Sequence, residues 1–331
     1  MNMTTARHRR HTRRRRPWAM SGVVAVVVAL VGGTILSYPI AAPWITDVIQ
    51  ADQLVTYRRG VDELDPAEVA RLLDSAHDYN ANLPNGPLRD PYVLNASGEA
   101  VSLDEGRTRY DSELRIPDAG ADTPMAQLTI PAISVNLPVY HGTSEETLTR
   151  GVGHFYGSGL PVGGTGVHPV LTAHSGYVDA TLFDDLDKLQ VGDTFAIQVL
   201  GELLHYRIDN IATVLPDESE MLRQVPGRDY VTLVTCTPRY VNTHRLLVRG
   251  ERIDGAAATV ADTDSTRLVT APSVGVPWWI LVTLGPAVGT FFLVRPPRVR
   301  PAAAAPSGNA PSDDTPLRAA SSSAGLVVHG P

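Results

Sequence analysis

Cys236 is the only cysteine in 331 residues, and Arg245 follows it nine residues later in the stretch TLVTCTPRYVNTHRLLVRG, residues 232–250. A thiolate attacks carbonyl carbon well, and a guanidinium is permanently charged with several donors that suit an oxyanion. Alternation along TLVTC and RLLVRG predicts two strands joined by TPRYVNTH, with Cys236 ending one and Arg245 beginning the next. That arrangement sets a guanidinium beside a thiol, where it could stabilise the oxyanion that acyl transfer to cysteine forms. The plainer alternatives are a small buried hydrophobe for Cys236 and a surface-strand arginine for Arg245. A leaving group also needs a proton donor. His141, His154, His168, His174, His205 and His244 all fall in the same part of the chain, and their spacing does not choose among them.

Other chemistries find less support. The chain has no Cys-x-x-Cys and no His-Glu-x-x-His. His168 and His174, six apart, would face the same way on a strand, but no third ligand accompanies them. No metal and no cofactor is therefore expected. The glycine-rich LPVGGTGVH lacks the Lys-Ser/Thr of a phosphate loop and reads as a turn.

Two apolar runs frame these residues. Ser21–Ala42 follows an arginine-rich head, and Val274–Val294 precedes RPPRVR. Each is close to the ~20 apolar residues that cross a bilayer. Arginine at the outer end of both predicts two transmembrane helices with both termini cytoplasmic. The first run is long for a signal peptide, and Pro43 directly follows its small-residue site, which favours an uncleaved anchor. Seven arginines precede Ser21, and a net charge of +2 follows Val294. The chain between them therefore carries about −16 against −7 for the whole. Nucleic-acid binding needs a basic footprint and is not expected. Outside the cell a lone cysteine cannot be an intrachain staple, and a free thiol there is exposed to oxidation unless buried or used.

The elements that must position the candidates follow in order. Asp65, Pro66 and Glu68 form an N-terminal helix signal, with Val69, Leu72, Leu73 and Ala76 on one apolar face. LPNGPLRDPYVLNASGE reads as loops. From about Met125 to Arg252, short β-branched runs (AQLTI, VNLPVY, HPVLTAH, TFAIQVL, LLHYRIDNIATVL, YVTLVTC and RLLVRGERI) predict a sandwich or barrel. The expected organisation is a basic cytoplasmic segment 1–20, a transmembrane helix 21–42, an extracytoplasmic helical segment 43–124 and a β-domain 125–255. A linker 256–273, a transmembrane helix 274–294 and a disordered cytoplasmic tail 295–331 complete it.

TLVTCTPRYVNTHRLLVRG resembles the cysteine-to-arginine signature of sortases, in particular the class C, pilin-polymerising group. VLTAHSG resembles that family's histidine motif, with His174 at the catalytic position. LPVYHGTSEETLTRGVGHFYGSGLPVGG, LFDDLDKLQVGD and the pair of apolar runs are also similar to the class. The likeness covers most of residues 45–255. Ala173 and Ser175 stand where the motif has glycine and arginine, and Arg239-Tyr240 stands in place of Tyr-Gly.

The resemblance implies a mainly β fold, an eight-stranded β-barrel with short helices, an N-terminal helical segment and two flanking transmembrane helices. It implies a substrate with a Leu-Pro-x-Thr-Gly sorting signal, cut between Thr and Gly. Cys236 would form a thioester, His174 would exchange protons with the amines, and Arg245 would hold the oxyanion. A lysine amine of a pilin subunit would resolve the thioester. Class C members commonly carry a lid with Asp-Pro-aromatic, which here matches Asp90, Pro91 and Tyr92 of RDPY. The alternatives are anchoring of surface proteins to a cell-wall peptide amine, hydrolysis by a surface peptidase, and a non-catalytic scaffold with Cys236 buried.

Overall fold

The computed structural model describes residues 20–83, 107–117, 119–120, 122–253 and 275–294. Asp90, Pro91 and Tyr92 of the expected lid, the expected linker and the expected tail lie outside the described residues.

Eight strands close into a barrel: β1 (Ala126–Ile130), β2 (Val135–His141), β3 (Val152–His154), β4 (Val170–Thr172), β5 (Thr194–Val199), β6 (Glu202–Val214), β7 (Tyr230–Thr237) and β8 (His244–Ile253). Their order around the barrel is β1-β2-β3-β4-β7-β8-β6-β5. The β2–β3 and β4–β7 pairs are parallel and the rest antiparallel. Phe195 and Tyr206 stack inside at 5.4 Å between ring centroids. They come so close to β8 that a Cβ on Gly250 would lie 2.4 Å from the Phe195 ring. Only glycine lets that strand pass.

The strand pattern follows the expected runs, with two differences. HPVLTAH shortens to the three residues of β4, and β3 arises in GVGHFY, which carries no alternation. LPVGGTGVH is a turn-rich connection between them. Gly164 and Gly166 have positive φ, and their amides donate to Asp229 Oδ2 (2.9 Å) and to the Arg228 carbonyl (2.6 Å).

The N-terminal helix α1 runs unbroken from Met20 to Asp62 and contains Pro39 and Pro43. The expected boundary at residue 42 is therefore not a boundary of structure. At ~1.5 Å per residue it reaches roughly 65 Å, about twice the ~30 Å hydrocarbon core of a bilayer. Its first half is long and apolar enough to cross a membrane. The second half lies on the barrel. There Tyr57 Oη donates to the Met125 carbonyl and accepts from the Leu200 amide, both at 3.0 Å, and Gln50 donates to the Arg150 carbonyl at 3.1 Å. Those contacts offset the helix hydrogen bonds that two interior prolines remove.

Helix α2 (Pro66–Ala81) starts as expected: Asp65 caps the Ala67 amide at 2.8 Å, and Leu72, Leu73 and Ala76 are buried. Glu68 does not close a capping box but pairs with Arg71 at 2.6 Å. Buried Asn80 exchanges two hydrogen bonds with Leu160, tying α2 to the β3–β4 connection. Helix α3 (Arg107–Ser112) and helix α4 (Glu145–Arg150) are single short turns beside the barrel.

The last helix, α5 (Trp279–Val294), packs antiparallel on α1. A Cβ on Gly33 would meet the Thr283 carbonyl at 2.5 Å, Thr283 donates to Ser37 at 2.7 Å, and Trp44 meets Trp279 edge-on. It has 16 residues, starting five residues later than the expected span 274–294. Pro277 and the non-helical residues before it delay the start. Its length of ~24 Å falls short of a full bilayer core on its own.

Candidate active site

Cys236, the penultimate residue of β7, is the direct cross-strand partner of Arg245 at the start of β8. Cross-strand partners point to the same face of a sheet. On the other side of β7, parallel β4 pairs Thr172 with Val234. The pairing continues past the strand: the Ala173 amide donates to the Val234 carbonyl at 3.2 Å, and Thr235 Oγ1 donates to the Ala173 carbonyl at 2.7 Å. His174, two residues beyond Thr172, thus comes level with Cys236. Three adjacent strands bring the three residues to one end of the barrel wall.

The floor beside them is apolar. Val170, Val234, Leu247 and Leu222 form a second hydrophobic cluster, with Val214, Phe155 and Met221 packed against it. Val234 and Leu247 share the face of Cys236 and Arg245 by the alternation of the strands. Leu222 and Met221 come from the β6–β7 connection, which packs over this cluster.

Each candidate is held differently. Cys236 is half-buried. Arg245 is 9% exposed, and its Nη1 donates to the carbonyls of Asn242 and His244, both at 3.1 Å. The β7–β8 connection therefore sets the guanidinium's place. His174 stacks on Tyr177 with centroids 5.5 Å apart and planes inclined by 19°, and its Nε2 lies 3.5 Å from Glu145 Oε1. Glu145 begins α4, whose N-cap Ser144 accepts from the Thr147 amide. Sequence reasoning missed Glu145 and Tyr177, and GTSEET offered only a helix-start signal.

Two residues that depart from the family pattern, Ser175 and Arg239, each reach across to the other's loop. Ser175 Oγ donates to the Cys236 carbonyl at 2.6 Å. Arg239, just after Cys236, donates to the Asp184 carbonyl and lies within 3.6 Å of the Asp184 and Asp185 carboxylates. Asp184 Oδ1 in turn accepts from the Gly176 amide at 2.6 Å. Gly176 has φ +75°, and a Cβ there would meet Arg239 and the Tyr240 ring within 3 Å. The loops carrying His174 and Cys236 are clasped together.

The remaining histidines are occupied elsewhere. His168 stands roughly 20 Å along the strand direction from His174, six residues at ~3.3 Å each, too far to share a metal. Its ring nitrogens bond the Arg223 carbonyl and Thr232 Oγ1, each at 2.7 Å. His154 is buried between the Gly159 carbonyl and the Tyr110 hydroxyl, and burial pushes both rings down to about 4. His141 bonds the Glu113 carbonyl, and burial lowers it too. His205 lies within β6, and His244, one residue before Arg245, points to the opposite face from Cys236. Among the described residues, no three His, Cys, Asp or Glu side chains gather as metal ligands.

Comparison with known proteins points to one family. The sortase-domain family model matches residues 128–253. Sortase A of Bacillus anthracis is 24% identical over 236 residues, covering 70% of this chain and 93% of that protein. Among solved structures, sortase C-1 from Actinomyces oris is 46% identical with a TM-score of 0.53, covering 57% of this chain and 99% of that one. Sortase C1 from Streptococcus agalactiae is 39% identical with a TM-score of 0.54, covering 63% and 98%. A lid mutant of sortase A from Corynebacterium diphtheriae is 42% identical with a TM-score of 0.52, covering 57% and 96%.

Proposed function

This chain belongs to the sortase family, with the cysteine transpeptidases of class C, and from that premise we propose that Cys236, His174 and Arg245 carry its reaction on a Leu-Pro-x-Thr-Gly sorting signal. The observation that carries the assignment is the register: Cys236 opposite Arg245, with His174 level with both.

The Cys236 thiolate attacks the threonine carbonyl, and the tetrahedral oxyanion is met by the Arg245 guanidinium. The carbon–nitrogen bond to glycine breaks, and His174 gives its proton to the departing amine, leaving a thioester. A lysine amine of a pilin subunit then attacks the thioester, His174 takes up its proton, and the thiolate leaves. The product is an isopeptide bond, and repetition builds a covalent pilus. No redox change occurs and no cofactor takes part.

The enzyme is anchored in the membrane by α1 with α5 packed on it, the barrel outside and both ends of the chain inside. We assign the catalytic domain to residues 125–255 and propose a lid role for Asp90, Pro91 and Tyr92 from the likeness of RDPY to the class. Incubation of the protein with a sorting peptide and a lysine-bearing pilin peptide tests the reading by mass spectrometry. A threonyl thioester on Cys236 and an isopeptide product are expected. Transfer only to a cell-wall peptide amine would make it an anchoring sortase, and release only to water would make it a peptidase.

A further inference from the structure

We propose that the anchoring helix α1 positions the catalytic histidine: Tyr38 and Thr46 grip Asp179, and through Tyr177 this fixes the plane of the His174 ring. The inference rests on His174 as the acid/base group.

After His174 the chain leaves the barrel wall and returns to regular structure only at the 3-10 turn Leu186–Lys188. Tyr177 lies on this loop and stacks on the His174 ring. Two residues further, Asp179 is held twice by α1: Tyr38 Oη donates to its Oδ1 at 2.7 Å, and Thr46 Oγ1 donates to its carbonyl at 2.6 Å. Tyr38 and Thr46 are eight residues apart, so one helix face carries both.

Packing holds the loop on either side of this crest: Tyr177 lies against the barrel core, and Ala180, Leu182 and Phe183 are buried in it. Val178 is 56% exposed, and a cavity of about 300 Å³ lined by Asp47, Gln50, Thr181 and Leu182 lies between α1 and the loop. The Arg239–Asp184 clasp holds the loop's far end, and the two α1 hydrogen bonds hold its crest. An imidazole that must serve a sulfur and then an amine depends on ring orientation, because a displacement of ~1 Å can cost about 10²-fold in rate. The anchor thus contributes to chemistry as well as to location.

The test uses the full chain in lipid nanodiscs. Asp179→Ala and Tyr38→Phe are expected to lower kcat for sorting-peptide cleavage by about tenfold, within that bound, with KM unchanged. Asp179→Asn keeps an oxygen that accepts from Tyr38, so it is expected to restore most of the rate. The double variant Tyr38→Phe with Asp179→Ala is expected to be no slower than Asp179→Ala alone. A readout without substrate is the His174 ring carbon–proton resonance in 13C-histidine-labelled protein, assigned with His174→Gln. Ring current from Tyr177 displaces it in the parent, and Asp179→Ala is expected to move it to the position seen in Tyr177→Leu.

An unchanged kcat in Tyr38→Phe, which removes a single hydroxyl, would overturn the proposal. So would equal losses in Asp179→Asn and Asp179→Ala, losses that multiply, or an unmoved resonance. Turnover that survives His174→Ala would instead sink the histidine assignment itself.

Discussion

The hydroxyl of Ser175 donates to the carbonyl of Cys236 over 2.6 Å, tying the residue after the histidine to the nucleophile's own peptide group. This bond extends the β4–β7 pairing beyond the point where the strand hydrogen bonds stop. Arg239 strengthens the same junction from the other loop through Asp184 and Asp185. The two departures from the family's motifs thus each carry a bond from one loop to the other, a hydroxyl from the histidine side and a guanidinium from the cysteine side.

Breaking that clasp should cost rate more than stability. Ser175→Ala removes one hydrogen bond, worth about 1 kcal/mol, and Arg239→Ala removes a half-exposed pair worth about 0–1 kcal/mol. Thermal midpoints are expected to shift by only a few degrees, while acylation slows severalfold as Cys236 and His174 lose their fixed separation. Stopped-time mass spectrometry of the acyl-enzyme measures this, and parent-like acylation in the double variant would make the clasp incidental.

Cys236→Ala should abolish the covalent adduct with the fold retained, because the replacement removes one atom from a half-buried side chain. His174→Ala should lower turnover by about 10²–10⁴ and Arg245→Ala by about 10²–10³. Circular dichroism must first show each variant folded. A folded Arg245→Ala enzyme with full activity would remove the guanidinium from the mechanism.

Much of this site was legible in the sequence because β7 and β8 are long and antiparallel. Alternation in YVTLVTC and RLLVRG placed Cys236 at one strand end and Arg245 at the next strand's start. β3 left no such trace: three residues make no period, and its parallel partner β2 lies across α4 in the chain. The histidine was legible only by likeness, since the contacts that occupy His154 and His168 run to Gly159, Tyr110, Arg223 and Thr232. Tyr177 and Glu145 acquire meaning only when folding sets them on His174. The continuity of α1 through Pro39 and Pro43 contradicts local rules, and contacts with the barrel and α5 override them.

A lid of Asp90, Pro91 and Tyr92 predicts a change in thiol access. If Asp90 pairs with Arg245 and the Tyr92 ring covers Cys236, Asp90→Ala with Tyr92→Ala should speed alkylation of Cys236. The thermal midpoint, read alongside, separates lid opening from unfolding. Iodoacetamide labelling followed over time decides it, and equal rates in variant and parent would reduce RDPY to a turn.

Acid should destabilise the barrel before its carboxylates titrate. His154 and His168 are pushed down to about 4 by burial, against an ordinary value of 6.5. Between those values the unfolded chain takes up protons that the folded chain refuses. Their contribution is therefore intact above about pH 6.5 and is lost as pH falls toward 4. Each pH unit costs about 1.4 kcal/mol per histidine at most. Asp229, raised by burial, acts in the opposite direction, but only as pH approaches the carboxylate range. The thermal midpoint is expected to fall steeply from pH 7 to pH 5. In His168→Gln the midpoint should start lower, because the Arg223 and Thr232 contacts are weakened, yet decline less over the same interval. The slope is the decisive quantity, and equal slopes in parent and variant would show that His168 does not refuse its proton in the folded barrel.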